Sequence, residues 1–276
     1  MLIRVGSRGS RLALTQAELA ASRLRAPGIE IALVPITTAG DRDRTKPFGE
    51  IGSRGVFVKE LEEALLDHRI DVAVHSAKDM TSTDPTGLAV GAYLERDDPR
   101  DALCGAAELR PGMRIGTASV RRKAQLLALE PSLEIEPLRG NIDTRLRKRG
   151  ERGLDAVVLA ACGLDRLGLE AEIGHRFEPD VLLPEAGQGA LALQVRAGEE
   201  HLVAAADDPE TRGRVEAERA VVAAVGGGGC LAPVAAYHDG STLTGLVAAE
   251  DGSWLERRTG DDPAALGEEL ALLAQR

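Results

Sequence analysis

The stretch "FVKELEEALLDHRIDVAVHSAKDM" (residues 57–80) decides how the chain folds. Its first half sets Phe57, Leu61, Ala64 and Leu65 on one stripe at helical spacing, so an amphipathic helix is expected. "IDVAVH" follows as an apolar run of strand length, the pattern of a buried strand. Working outward, "MLIRVG" and "EIALVPITT" read as short strands. Between them "SRLALTQAELAASRL" carries Leu12, Gln16, Leu19 and Arg23 at helical spacing, with Ser10 placed to cap it. Strands alternating with helices imply parallel βαβ units.

The pattern restarts after "LERDDPRDA". "RIGTA", "LEIEPL" and "LDAVVLA" read as strands, with "SVRRKAQLLAL" and "NIDTRLRKRG" as the helices between them. "GALALQV" (189–195) is a further strand that returns to the first unit. From about Pro209 the texture changes. A helix over 210–225 runs into four glycines, and "PVAAYH", "TLTGLVAA" and "WLERRT" read as short strands. "HDGS" and "EDGS" between them are hairpin turns, and "DPAALGEELALLAQ" closes the chain as a helix. The fold class expected is α/β: two α/β lobes, with a small α+β unit at the C-terminus. The boundaries expected are 1–94 with 190–208 for the first lobe, 100–184 for the second and 212–276 for the small unit.

Composition narrows the function. The chain has 276 residues, 43% of them hydrophobic but only 2% aromatic, and a net charge of −10. No domain-wide basic footprint exists and few rings are present to stack on bases, so nucleic acid is not an expected partner. Arginine and lysine nevertheless cluster in 110–123 and 139–152. Local arginines in an acidic protein suggest a small anionic ligand. "MLIRVGSRGS" contains no apolar signal-like core, and no run of about 18 apolar residues is present, so no membrane partner is expected. Cys104, Cys162 and Cys230 lie far apart without CxxC spacing, and the histidines form no HxxxH pair. That argues against a disulfide framework or a metal site and for a reducing cytoplasm.

Chemistry is expected where strands hand over to helices, because ligands of open α/β sheets bind outside the carboxyl ends of the strands. Asp79 follows the buried run ending near His75, beside Ser76 and Lys78, where a catalytic carboxylate would be useful; a turn or cap aspartate is the bland alternative. In "RIGTASVRRKAQ" a strand ends at Thr117, Ser119 can cap a helix, and Arg121 and Arg122 fall in its first turn. Free N–H groups beside two guanidiniums invite a carboxylate or phosphate; two solvated arginines are the alternative. "PLRGNIDTRLRKRG" repeats the theme with Arg139, an Asn141 cap and Arg145, and Arg8 beside the Ser10 helix is a third case. Three arginine-bearing turns favour a ligand with several carboxylates, since guanidinium pairs with them in a planar, bidentate way. "GQGALA" (187–192) imitates a dinucleotide fingerprint but precedes a strand, so that site is rejected. Cys230 ends "VGGGGC", and a structural turn cysteine is its default reading.

In order along the chain, "IRVGSRGSRLAL", "GVFVKELEEALL", "DVAVHSAKD", "LERDDPRDA", "GTASVRRKAQL", "LRGNIDTRL", "LAACGLDRLGL", "GQGALAL" and "ERAVV…GGGGCLAPV" resemble the porphobilinogen deaminase (hydroxymethylbilane synthase) family. The resemblance covers most of 1–236; the last forty residues match loosely. It implies two periplasmic-binding-protein-like α/β lobes joined by two crossing segments, plus a small α+β domain. It implies a dipyrromethane cofactor on Cys230, and four additions of porphobilinogen to that primer with loss of ammonia, before water releases hydroxymethylbilane. It implies that Asp79 is the catalytic carboxylate, stabilising the azafulvenium-like cation left when ammonia departs. It implies further that Arg8, Ser10, Ser76, Lys78, Thr117, Ser119, Arg121, Arg122, Arg139, Arg145 and Arg166 bind cofactor or substrate, and that the protein is a cytoplasmic monomer without a metal.

Departures from the family pattern fall at Gly9, Arg54, Thr81, Ala118 and Ala232, and one glycine is added before Cys230. They bear on ligand geometry more than on reaction class. Two other readings fit the lobes and arginines: a binding protein for a small polycarboxylate, or a divergent family member with low activity. Simple binding does not account for the Cys230 loop. Residues 41–55, rich in glycine and charge, are a candidate lid.

Overall fold

A computed structural model of the protein describes residues 1–37, 58–81, 85–226 and 233–275. Phe57, Arg54, the candidate lid over 41–55, and Cys230 with its preceding three glycines lie outside the described residues. The chain divides into two compact units: Met1–Asp97 with Ala190–Gly213, and Asp98–Gly189 with Arg214–Arg276.

The first unit is built on β1 (Leu2–Arg8), α1 (Arg11–Leu24), β2 (Glu30–Ile36), α2 (Lys59–Leu66), β3 (Val72–Ser76), β4 (Leu88–Tyr93) and β10 (Leu191–Arg196). Its five-stranded sheet has the order β2-β1-β3-β10-β4. The alternation of side chains along β3 explains its apolar run. Val72 and Val74 join the core beneath α1 with Ile3, Val5, Ala20 and Leu24, while Ala73 joins Leu61, Ala64, Leu65 and Ile70 beneath α2. A strand covered on both faces has no polar side. Ser10 caps α1 as expected, its Oγ accepting from Ala13 N at 3.3 Å.

The parallel expectation holds only in part. β1 runs parallel to β2 and β3, but β10 runs antiparallel to both β3 and β4. No crossover helix from β3 or β4 delivers β10, so nothing in its connection obliges it to run parallel. It does join the first unit's sheet, as expected.

In the second unit, β6 (Arg114–Gly116), α3 (Val120–Leu129), β7 (Glu134–Glu136), α4 (Ile142–Glu151), β8 (Ala156–Ala160) and α5 (Ala161–Arg166) alternate. β5 (Asp101–Cys104) and β9 (Ile173–Phe177) complete the sheet β7-β6-β8-β5-β9. β6 is parallel to β7 and β8, whereas β5 is antiparallel to β8 and β9. Leu103, Ile115, Leu126, Val158 and Phe177 form its core.

The same unit contains most of α6 (Pro209–Ala224), then β11 (Val234–His238), β12 (Leu243–Ala248), β13 (Leu255–Gly260) and α7 (Pro263–Leu273). The three strands form an antiparallel sheet, with Asp239 and Asp251 accepting backbone hydrogen bonds in the two hairpin turns. One face packs on α6 and α7 through Val221, Val234, Ala236, Val247, Leu266 and Leu270. The other places Ala235, Leu246 and Ala248 against Ala124 of α3. Gly252 has φ +73°, and an added Cβ would lie 2.7 Å from Ala128 N, so only glycine lets this hairpin approach α3 so closely. Lys123 of α3 reaches Glu250 at 2.9 Å, and Arg257 Nη2 reaches Gln125 Oε1 at 3.2 Å.

Candidate functional site

In the first unit the expected residues gather at one sheet edge. β1 and β3 are parallel neighbours, so Arg8 and Ser76 end at the same carboxyl edge. Ser10 begins α1 two residues beyond Arg8. After Ser76 the chain makes a single 3-10 turn, Ala77–Asp79. Ala77 N donates to Ala190 O at 3.0 Å, and Ala77 and Met80 are buried. That anchors the turn while Ser76, Lys78 and Asp79 stay half-buried. His75 is not at this edge's surface. It is buried, with Nε2 3.1 Å from Gln194 Oε1, which fits a core histidine.

In the second unit the helices α3, α4 and α5 all begin at the carboxyl ends of three parallel strands. Thr117 closes β6, its Oγ1 accepting from Ser119 N at 3.2 Å. Ser119 in turn caps α3, its Oγ accepting from Arg122 N at 3.4 Å. Arg139 is exposed before Gly140, whose φ of +125° makes the turn into α4. Arg145 is half-buried in the first turn of α4. Arg166 ends α5 and donates from Nη2 to Gly189 O at 2.7 Å. The Asn141 expectation is corrected: it occupies the cap position, but its side chain makes no capping hydrogen bond. Its backbone carbonyl accepts from Arg145 N, which any residue could do.

Arg121 and Arg122 are the least expected. They are not the solvated pair that was the alternative. Both are buried against Asp101, which is 0% exposed. Arg121 Nη1 donates to Asp101 Oδ2 at 2.8 Å and to Leu183 O at 2.7 Å. Arg122 donates from Nε and Nη2 to Asp101 Oδ1 at 3.0 and 2.7 Å, and from Nη1 to Val158 O at 3.2 Å. Gln188 Nε2 adds a hydrogen bond to Asp101 Oδ1 at 2.9 Å. Burial alone would raise the Asp101 pKa, but the charges and hydrogen bonds of Arg121 and Arg122 hold it well below the ordinary carboxylate range. Asp101 and Gln188 were not singled out in the sequence. The one signal was an acid opening an apolar strand, "DALC".

Among the described cysteines, Cys104 and Cys162 are free and buried. Burial pushes the Cys104 thiol up to about 11, which makes it a poor nucleophile. Among the described residues no group of His, Cys, Asp and Glu is arranged to hold a metal ion, and no helix is long and apolar enough to cross a membrane.

A family profile described as "Porphobilinogen deaminase, dipyromethane cofactor binding domain" matches residues 3–204. The chain belongs to the porphobilinogen deaminase family. Similar family proteins include the porphobilinogen deaminase of Roseiflexus castenholzii, 46% identical over 284 residues, with 97% of this chain and 93% of the relative covered. That of Bacillus subtilis is 44% identical over 289 residues, covering 98% of this chain and 92% of the relative. A solved methionine-binding protein, MetQ, aligns with TM-score 0.48 at 15% identity over 77% of this chain and 92% of its own. The porphobilinogen deaminase profile spans Asp79 and Arg8, Arg121, Arg122, Arg139, Arg145 and Arg166, whereas Cys230 falls beyond its end.

Proposed function

We propose that this chain is a deaminating transferase of tetrapyrrole biosynthesis. It joins four porphobilinogen molecules to a dipyrromethane primer held covalently on Cys230, with loss of ammonia at each addition, and water releases hydroxymethylbilane. The observation that carries the reading is the family match over nearly the whole chain, at 46% identity with a porphobilinogen deaminase. When bound, the dipyrromethane supplies a nucleophilic pyrrole on which the chain is built.

The residues present suit such a group. Nε and Nη2 of Arg121 are buried and have no hydrogen-bond partner. These two donors form one side of a guanidinium, the side that receives a carboxylate in a bidentate way. Pyrroles of this type carry acetate and propionate groups. Arg121, Arg139, Arg145 and Arg166 are assigned to hold carboxylates, with Arg122 supporting Arg121 through their shared Asp101 and Thr117 and Ser119 setting the backbone at the start of α3. In the first unit Arg8, Ser10, Ser76 and Lys78 are assigned to orient substrate. Asp79 is assigned the chemical role: its carboxylate stabilises the positive charge that develops on the pyrrole as the amine leaves, and exchanges protons with pyrrole N–H and amine. The proposal further takes the protein to be a cytoplasmic monomer, in keeping with three widely spaced cysteines.

Protein produced where porphobilinogen is available should show an intact mass above that of the chain by one dipyrromethane. Cys230→Ser should abolish the increment. An unmodified mass in the unmutated chain would contradict the reading and favour a polycarboxylate binder.

A further inference from the structure

Two arginines and one aspartate do not balance. Asp101, Arg121 and Arg122 together leave one net positive charge in a place with almost no solvent: Arg121 is 3% exposed and Asp101 0%. Buried charges are ordinarily paired, because an uncompensated one is costly. Among the described residues, no second carboxylate appears among the hydrogen-bond and ion-pair partners of either arginine.

The two guanidiniums also differ. Arg122 turns its Nε and Nη2 side to Asp101 Oδ1, fixes Nη1 on Val158 O, and brings Nη2 within 3.4 Å of Gln188 Oε1. Arg121 uses only Nη1, and its equivalent side is without a partner. Asp101 is held from behind: Gln188 Nε2 bridges its Oδ1 and Pro99 O at 2.9 and 2.7 Å. Its backbone pairs with Ala160, at the carboxyl end of β8.

We propose that Asp101 is a positioning residue for the reaction. It fixes Arg122 as scaffold and holds Arg121 by one nitrogen, so that the Nε and Nη2 side of Arg121 is presented to one carboxylate of the pyrrole chain. Gln188 keeps Asp101 in that pose. The excess charge of the cluster is then balanced by the ligand rather than by the protein. This rests on the reading of the chain as a porphobilinogen deaminase.

The test compares unmutated holoenzyme with Asp101→Asn and Gln188→Leu. Four quantities are read: urea unfolding, the fraction carrying primer by intact mass, and the KM and kcat of the primer-carrying fraction with porphobilinogen. Asp101→Asn raises the positive charge of the cluster, so a purely electrostatic role predicts a lower KM. A purely structural role predicts lower stability with KM unchanged in the folded fraction. Positioning predicts reduced primer loading and a KM raised about 10-fold or more, with kcat changing less. Gln188→Leu, which removes no charge, should raise KM about 3-fold. If Asp101→Asn does not fold, Gln188→Leu decides, and an unchanged KM there overturns the proposal. An active unmutated protein with KM unchanged or lowered in folded Asp101→Asn overturns the positioning role alone. An unmutated protein that neither carries primer nor consumes porphobilinogen overturns the functional reading, and the positioning role with it.

Discussion

Each unit contains an aspartate gripped by two arginines, and the two clusters are built for different ends. In the first unit Asp71 meets Arg4 at 2.7 Å and Arg196 at 3.2 Å. Glu199 also pairs with Arg196, at 2.8 Å, so two carboxylates balance two guanidiniums. Arg4 and Arg196 further donate to the carbonyls of His68, Leu65 and Ile70, tying down the loop before β3. In the second unit Asp101 is the one carboxylate among the described residues that pairs with Arg121 and Arg122, and it sits at the carboxyl end of β8. Asp71 precedes β3, at the opposite end of a strand. Ligands of open α/β sheets bind outside the carboxyl ends of strands. The proposal assigns the neutral cluster at the amino end to the fold and the charged one at the carboxyl end to the ligand.

Changes at both clusters and at Asp79 sharpen the contrast. The largest effect is expected at the carboxylate assigned to chemistry. Asp79→Ala should reduce turnover of the holoenzyme about 100-fold or more in a porphobilinogen consumption assay, with Asp71→Asn near normal at neutral pH. Next comes Arg122→Leu, which leaves Asp101 fully buried with one cation. A loss of about 2 kcal/mol in urea unfolding is expected, together with impaired primer assembly. Arg4→Met should move the urea midpoint less, since Arg4 is 37% exposed and Arg196 still serves Asp71, and should leave KM unchanged. Equal losses from Arg4→Met and Arg122→Leu would break the contrast.

Acid gives a finer probe. Burial opposes ionisation of Asp71, but hydrogen bonds from Arg4 and Arg196 outweigh it and hold its pKa at about 2, below the ordinary 3.8. Its folded-state pKa is depressed, so its contribution is complete above about pH 4 and is lost as pH falls towards about 2. The stability gap between the unmutated protein and Asp71→Asn should therefore be constant at pH 5 to 7 and close on acidification through that window. A gap that widens there would reverse the assignment. The smallest effects lie at helix caps. Asp262→Ala removes two capping hydrogen bonds from α7 and should cost about 1 kcal/mol, whereas Asn141→Ala should cost less than about 0.5 kcal/mol.

Local order was legible in the sequence. The Ser10 and Ser119 caps, the stripe over Leu61 to Leu65 and the "IDVAVH" run depend on neighbours a few residues away, and each appears in the structure. The turns that carry Asp79 and the arginines were legible for the same reason. β4, β5 and β9 were not, because their pairing partners lie far along the chain or run antiparallel against the βαβ rhythm. The grip of Asp101 on Arg121 and Arg122 was hidden by a separation of about twenty residues and a change of element. Spacing could place two guanidiniums at one helix start, but not the buried acid beneath them. The Asn141 cap failed because residue type gives only the capacity for a capping bond, not the rotamer that makes it.

The central claim is that the chain condenses porphobilinogen rather than merely binding it. Purified holoenzyme given porphobilinogen should release ammonia in equal number to the porphobilinogen consumed, with one hydroxymethylbilane formed for every four. Saturable binding of porphobilinogen with no ammonia released would contradict the account.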